Sequence, residues 1–235
     1  MMNTRILLTF IITTLFMFVS PLKSEGGGKT EIETFIHTSI MAPINELLKI
    51  KESSEYDYKK KQEKILRELF HQHLNMRYIV KFVLGQYAKK ASTVELKEYE
   101  HLVRETNIKS ILFNLQGSIS YELVFVGIKD GNSKNQYFVL LDFIDTNSKE
   151  SSKTIKSQWR VKYDTSKDKF QIIDTIFEGL SLVLNLKTEH QQVLNKARDD
   201  GEDPMESIIL KLNQQLLRLE EGVKTDISIE KITVK

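Results

Sequence analysis

The sequence predicts an α+β chain in which helices come first, a four-stranded antiparallel sheet follows, and helices close the chain. Three observations carry that prediction. Apolar residues recur at helical spacing, punctuated by capping sequences, from Glu31 to about Leu115. Four β-rich runs joined by turn sequences then occupy Tyr121 to Phe177, and helical spacing returns from Leu180 onward.

The elements follow in order. Ile32, Phe35, Ile36, Ile40, Ile44, Leu47 and Leu48 share a helical period, with Pro43 expected to bend or divide the segment. Ser54 with Asp57 is a variant capping box before a helix that carries Ile65, Leu66, Leu69, Phe70 and Leu74 on one face. A short helix runs through YIVKFVLGQY, and Ser92 with Glu95 forms the standard box for the next one. The strands are YELVFVGI, NQYFVLLDFI, TIKSQWRVKY and FQIIDTIF, separated by DGNS, DTNSKESS and DTSKD, which is the chemistry of a meander. Alternation sends Leu123 and Phe125 to one face and Val124, Val126 and Ile128 to the other, so the first strands are apolar on both faces. One face can be covered by the preceding helices, and the other must meet more protein or an apolar ligand. At the end, Asp203 is an N-cap, Pro204 the first helical residue and Glu206 the third.

The first 24 residues have the parts of a secretory signal: Arg5, the apolar run Ile6 to Val19, and a short polar stretch. Residues 25–235 are then expected to be one exported domain. The signal takes Arg5 and Lys23 from 34 basic residues and leaves 32, equal to the 32 acidic ones. A neutral exported chain offers no concentrated basic face for nucleic acid. There is no cysteine, which excludes disulfides, thiolate metal sites, a cysteine nucleophile and a lipid anchor on an N-terminal cysteine.

Each motif with catalytic promise fails a spacing test. EGGGKT at 25–30 ends like a P-loop, but Lys23 stands where the first glycine belongs and no buried strand leads into it. Gly179 and Ser181 begin a nucleophile elbow that Val183 breaks at the second glycine. His71 and His73 are two apart on a helix and point in different directions, unlike a metal pair. DDGED lacks the alternating ligands of a calcium loop. Asp174 and Glu178 could form a carboxylate pair, although carboxylates at a strand-to-helix junction more often accept backbone N–H bonds. No cofactor or metal is called for.

Two stretches reach further: FVLGQYAKKASTVELKEYEHLV at 82–103 and DTIFEGLSLVLN at 174–185. Together they resemble the toluene-tolerance family, the periplasmic phospholipid-binding auxiliary components of the ABC-transporter-linked Mla lipid-asymmetry pathway. The order of signal, helices, LGQY, strands with QWRVKY, EGLSLV and a final helical pair matches as well. The resemblance implies a strongly twisted, NTF2-like sheet packed with helices around a deep apolar lipid pocket. It implies a phospholipid ligand and binding without turnover. It also implies two partners: an inner-membrane ABC transporter complex with its substrate-binding MCE subunit, and an outer-membrane lipoprotein complex. Carried over by motif, Leu180 matches a pocket position, and Phe82, Val83 and Leu84 match the apolar triplet before GQY. Val183 joins them as a core residue facing the lipid, while Val124, Val126, Val139 and Leu141 are strand candidates whose face alternation does not fix. Gly85 and Gly179 match backbone positions; Phe170 stands where the family usually has tryptophan, and the tail beyond Glu220 is long. The alternative from the residues is a small exported hydrolase or isomerase using Asp174, Glu178 or Ser181; a third is an interaction subunit with a filled core.

Overall fold

The computed structural model describes residues 27–50, 55–115, 121–146 and 154–222. The expected signal segment, the Ser54 cap, most of the DTNSKESS loop and the tail from Val223 lie outside the described residues. The chain opens with α1 (Lys29–Phe35), a π-helical turn (Ile36–Met41) and α2 (Ala42–Lys49). Proline at 43 has no N–H to donate, and its ring would strike the carbonyl four residues back; the wider π turn just before it relieves both problems. The segment therefore continues through the proline instead of dividing. Next come α3 (Glu55–His73), α4 (Met76–Leu84), a single 3₁₀ turn (Tyr87–Lys89) and α5 (Thr93–Asn114). Ser92 and Glu95 form the reciprocal cap of α5, and Asn75 Oδ1 caps α4 by accepting from Tyr78 N at 3.0 Å.

Five strands form a sequential antiparallel meander: β1 (Tyr121–Asp130), β2 (Gln136–Asp145), β3 (Thr154–Asp164), β4 (Lys169–Phe177) and β5 (Leu180–Ser181). The fifth, of two residues, is additional to the sequence expectation. It exists because Glu178 and Gly179 both have positive φ, 47° and 83°, which is the two-residue turn that folds Leu180 back onto Phe177. A bulge also corrects the expected alternation of β1. Phe125 pairs with Leu141 and Gly127 with Leu140, so Val126 is the extra residue and the register flips after it. Ile128 accordingly joins Leu123 and Phe125 on the inner face instead of opposing them.

The helices α6 (Leu182–Asp200) and α7 (Pro204–Glu220) complete the chain, with Asp203 Oδ1 capping α7 as expected. Buried residues form two apolar clusters. One joins the inner sheet face, including Leu123, Val139, Leu141 and Val161, to α1–α3 and the end of α5. The other joins α4, the start of α5, α6 and α7 through Val83, Leu84, Leu102, Leu194 and Ile208. Leu74 packs against both. Beside it, Asn75 N donates to Ile172 O at 2.9 Å, pinning the α3–α4 junction to β4 where the clusters meet. Arg67 ties α3 to α5 by donating to Glu105 Oε1 at 2.7 Å, and that guanidinium holds the Glu105 carboxyl below its usual range.

Within the helical cluster, Tyr99 Oη lies 2.5 Å from His190 Nδ1, and both residues are buried. Burial, reinforced by Lys211, pulls the imidazole from its ordinary 6.5 down to about 3, and burial pushes the Tyr99 phenol up. The neutral ring accepts the phenolic O–H through Nδ1.

A folded-state value depressed below the unfolded one means that the unfolded chain binds the extra proton first. Stability is therefore intact above pH 6.5 and is lost as pH falls from 6.5 toward 3. Urea unfolding at pH 7 and pH 4 is expected to show this loss at up to about 1.4 kcal/mol per pH unit, with the part due to His190 missing in His190→Gln. Gly85, at φ 56° and ψ −120°, occupies a conformation open essentially to glycine, and an added Cβ would meet only ordinary contact with Gln191 at 3.5 Å. Gly85→Ala is expected to lower the unfolding free energy by about 1–3 kcal/mol through backbone strain; an unchanged denaturation midpoint would contradict it.

Candidate functional site

The EGLS turn builds one side of a cleft. Folding back onto Ile176 and Phe177 brings Ser181 to the N-cap of α6, where its Oγ accepts from Leu184 N at 3.0 Å and donates to Asp174 Oδ2 at 2.8 Å. Asp174 is only 4% exposed, and its Oδ1 also accepts from Val183 N at 3.2 Å. Arg160 Nη1, one strand away, stands 3.7 Å from Asp174 Oδ2. Glu178 is exposed and points elsewhere, its Oε1 accepting from Lys156 N at 2.6 Å. The three residues of the hydrolase alternative are therefore occupied in turn and cap geometry, and among the described residues no histidine is hydrogen-bonded to Ser181.

The cleft itself has a volume of about 170 Å³. Its apolar walls are Tyr78 and Phe82 from α4, Ile173 and Ile176 from β4, and Val183 and Leu184 from α6; Arg160, Asp174 and Ser181 supply its polar atoms. Tyr78 and Phe82, one helical turn apart, stack with centroids 6.4 Å apart and planes at 9°. Lys187 places Nζ 4.3 Å from the centroid of the Phe82 ring. Leu184 is 55% exposed and forms part of the lip.

Of the lipid-facing candidates singled out in the sequence, the cleft brings together Phe82 and Val183, and Asp174 and Ser181 of the hydrolase alternative line it as well. Val83 and Leu84 are fully buried in the helical cluster, and Val139 and Leu141 in the sheet cluster. Val124 is half-buried opposite Asp142 on the second sheet face, Val126 is the exposed bulge residue, and Leu180 is half-buried against Phe177. Tyr78, Arg160, Ile173, Ile176 and Leu184 were not anticipated. Tyr78 could have been found from its spacing of four before Phe82, and Leu184 from its adjacency to Val183. Arg160 depends on the register of β3 against β4, which sequence does not print.

The LGQY stretch also has a structural role. Gln191 Nε2 donates to the carbonyls of Val83 (2.7 Å) and Leu84 (3.0 Å), the free end of α4. Tyr87 Oη donates to Asn195 Oδ1 at 2.8 Å. The two stretches on which the family resemblance rests therefore anchor different turns of the same helix, α6. His71 and His73 both lie on α3, His73 edge-on to Phe35 at 5.4 Å; no group of three or more His, Asp or Glu among the described residues is placed to hold a metal.

Comparison with solved structures gives a phospholipid-binding protein from Ralstonia solanacearum, determined in complex with a phospholipid, at a TM-score of 0.59 and 12% identity. The match covers 76% of this chain and 95% of that one, and at this identity it establishes the shared fold, helices on a twisted antiparallel sheet. No curated protein matches in sequence. The family model described as MlaC protein matches residues 41–213, which takes in α4, the whole sheet, the cleft and α6. The chain belongs to the MlaC family.

Proposed function

We propose that this chain is an exported phospholipid carrier that moves lipid through the periplasm between an outer-membrane lipoprotein complex and an inner-membrane ABC transporter complex with its MCE subunit. The observation that carries the reading is membership of the MlaC family together with an apolar-walled cleft between β4 and the helices α4 and α6. The phospholipid held by the Ralstonia relative supports the same ligand class. Family and relative both speak for binding rather than turnover, and Asp174 and Ser181 are committed to capping α6.

Leaving one 16-carbon acyl chain in water costs on the order of 12 kcal/mol at roughly 0.8 per methylene, so a carrier must enclose most of both chains. A cleft of 170 Å³ is smaller than the roughly 300–1,000 Å³ of sites that enclose drug-sized ligands. Acyl chains would therefore enter by parting the sheet layer from the α4–α6 layer at the seam marked by Leu74, Ile172 and Ile173. Parting that seam would bring the two clusters, with Val83 and Leu84 on one side and Val139 and Leu141 on the other, into play as chain-facing surfaces; Leu180, Val124 and Val126 are proposed at the margins. Moving a chain from bilayer to protein exchanges one apolar medium for another, so direction has to come from the two membrane complexes.

Native mass spectrometry of the chain from Glu25, followed by lipid extraction, tests the reading. About one diacyl phospholipid per chain is expected. Leu184→Glu, at an exposed position that leaves the fold intact, is expected to cut retention about tenfold or more. Folded protein that carries no lipid and takes none from vesicles would overturn the proposal.

A further inference from the structure

Arg160 has more hydrogen-bonding capacity than its surroundings use. It lies in the middle of β3, in a cross-strand row with Phe138 on one side and Asp174 on the other. Its guanidinium carries five N–H donors. With the Gln136 amide oriented so that its nitrogen donates to Ser133 Oγ, the Gln136 oxygen accepts from Arg160 Nε at 3.2 Å and Nη2 at 3.0 Å. That engages two donors. Nη1 is 3.7 Å from Asp174 Oδ2, close enough for charge attraction and too far for a hydrogen bond. Asp174 meanwhile takes its short hydrogen bonds from Ser181 and Val183. Two of the five donors are thus engaged, and the other three have no hydrogen-bond partner among the described residues. The Arg160 side chain is 30% exposed and lines the cleft, which puts its unengaged donors at the cleft's polar side.

A second cation adjoins the same cleft. Lys187 Nζ rests over the ring of Phe82, and no carboxylate pairs with it among the described residues. The first-turn N–H groups of Val183 and Leu184, which would otherwise attract an anion to the start of α6, are already taken by Asp174 and Ser181. Anion-binding capacity is therefore concentrated in two side chains set beside aromatic and aliphatic walls. Counting Asp174, the local charge is one positive in excess, which matches the single negative charge of a phosphodiester. Oxyanions with apolar chains attached satisfy both halves of such a site, because a planar guanidinium fork suits phosphate oxygens and the walls suit methylenes.

We propose that Arg160 and Lys187 hold the phosphate of a bound phospholipid at the mouth of the cleft, with Asp174 orienting the Arg160 guanidinium. The assignment rests on the lipid-carrier reading and adds to it a preference for phosphate-bearing lipids over neutral ones with the same chains. Arg160 is the main contact. Lys187 adds a second charge from the opposite element and can leave the Phe82 ring when the anion arrives.

The test compares uptake of dioleoyl phosphatidylglycerol and dioleoylglycerol, each presented in a non-ionic detergent, with native mass spectrometry as the readout. The native chain is expected to favour the phospholipid about tenfold or more, the scale of charge-assisted hydrogen bonds. Arg160→Gln is expected to bring that preference to within about threefold through weaker phosphatidylglycerol uptake, and Lys187→Gln to reduce it partially. Equal uptake of the two lipids by the native chain overturns the phosphate assignment and leaves the carrier reading standing; uptake of neither overturns both. Displacement of the lipid preference by millimolar inorganic phosphate alone would identify a free-anion site and overturn the headgroup assignment. Should Arg160→Gln fail to fold, Arg160→Lys keeps the charge beside Asp174 without the fork; undiminished preference in it and in Lys187→Gln overturns the proposal.

Discussion

One buried carboxylate holds the two halves of this molecule in register. Asp174 stands near the end of β4, almost wholly buried, and binds the hydroxyl of Ser181 and the amide of Val183. A charge at that depth is costly unless it is hydrogen-bonded and balanced. Arg160 supplies the balance from the neighbouring strand. The sheet, the short β5 strand and the start of α6 thus share a single polar node, and the cleft forms around it. Gly179 has its place in the same arrangement: without the tight turn that it shares with Glu178, Ser181 would not be carried back to Asp174.

Much of this could be read from the sequence, because it is written in local chemistry. Ser92 with Glu95 and Asp203 before Pro204 cap helices through atoms three residues apart, so spacing alone reveals them. Four β-rich runs with polar turns between them become four long strands in the expected order. Features set by long-range register were illegible. The bulge at Val126 transfers Ile128 to the inner face, and nothing in YELVFVGI distinguishes a bulged strand from a regular one. The same holds for the cleft. Phe82 and Val183 lie in recognisable stretches, whereas Arg160 joins them only because a second irregularity, between Arg160 and Val161, sets β3 against β4 so that it faces Asp174.

The division of the apolar interior into two clusters bears on function. A single continuous core resists separation, because every buried side chain is held by neighbours on all sides. Here the sheet cluster and the helical cluster meet at Leu74 and at the Asn75 contacts with Gln171 and Ile172. The helix α5 runs through both clusters and ties them, so any parting for the proposed carrier function is confined to the side where β4 faces α4 and α6. On the proposed carrier reading, apolar surface there would open to a ligand larger than the cleft and close again without unfolding.

The polar residues at the cleft complete that argument. Acyl chains exchanged between bilayer and protein gain little, because both surroundings are apolar. Discrimination between lipids therefore has to come from groups that a bilayer core lacks, and a guanidinium with open donors beside apolar walls is such a group. Asp174 keeps that guanidinium from being over-strong. By sharing the charge at 3.7 Å without closing a hydrogen bond, it leaves Arg160 oriented and partly neutralised. If Arg160 holds the lipid phosphate as proposed, that balance holds the anion firmly enough to be chosen and loosely enough to be passed on.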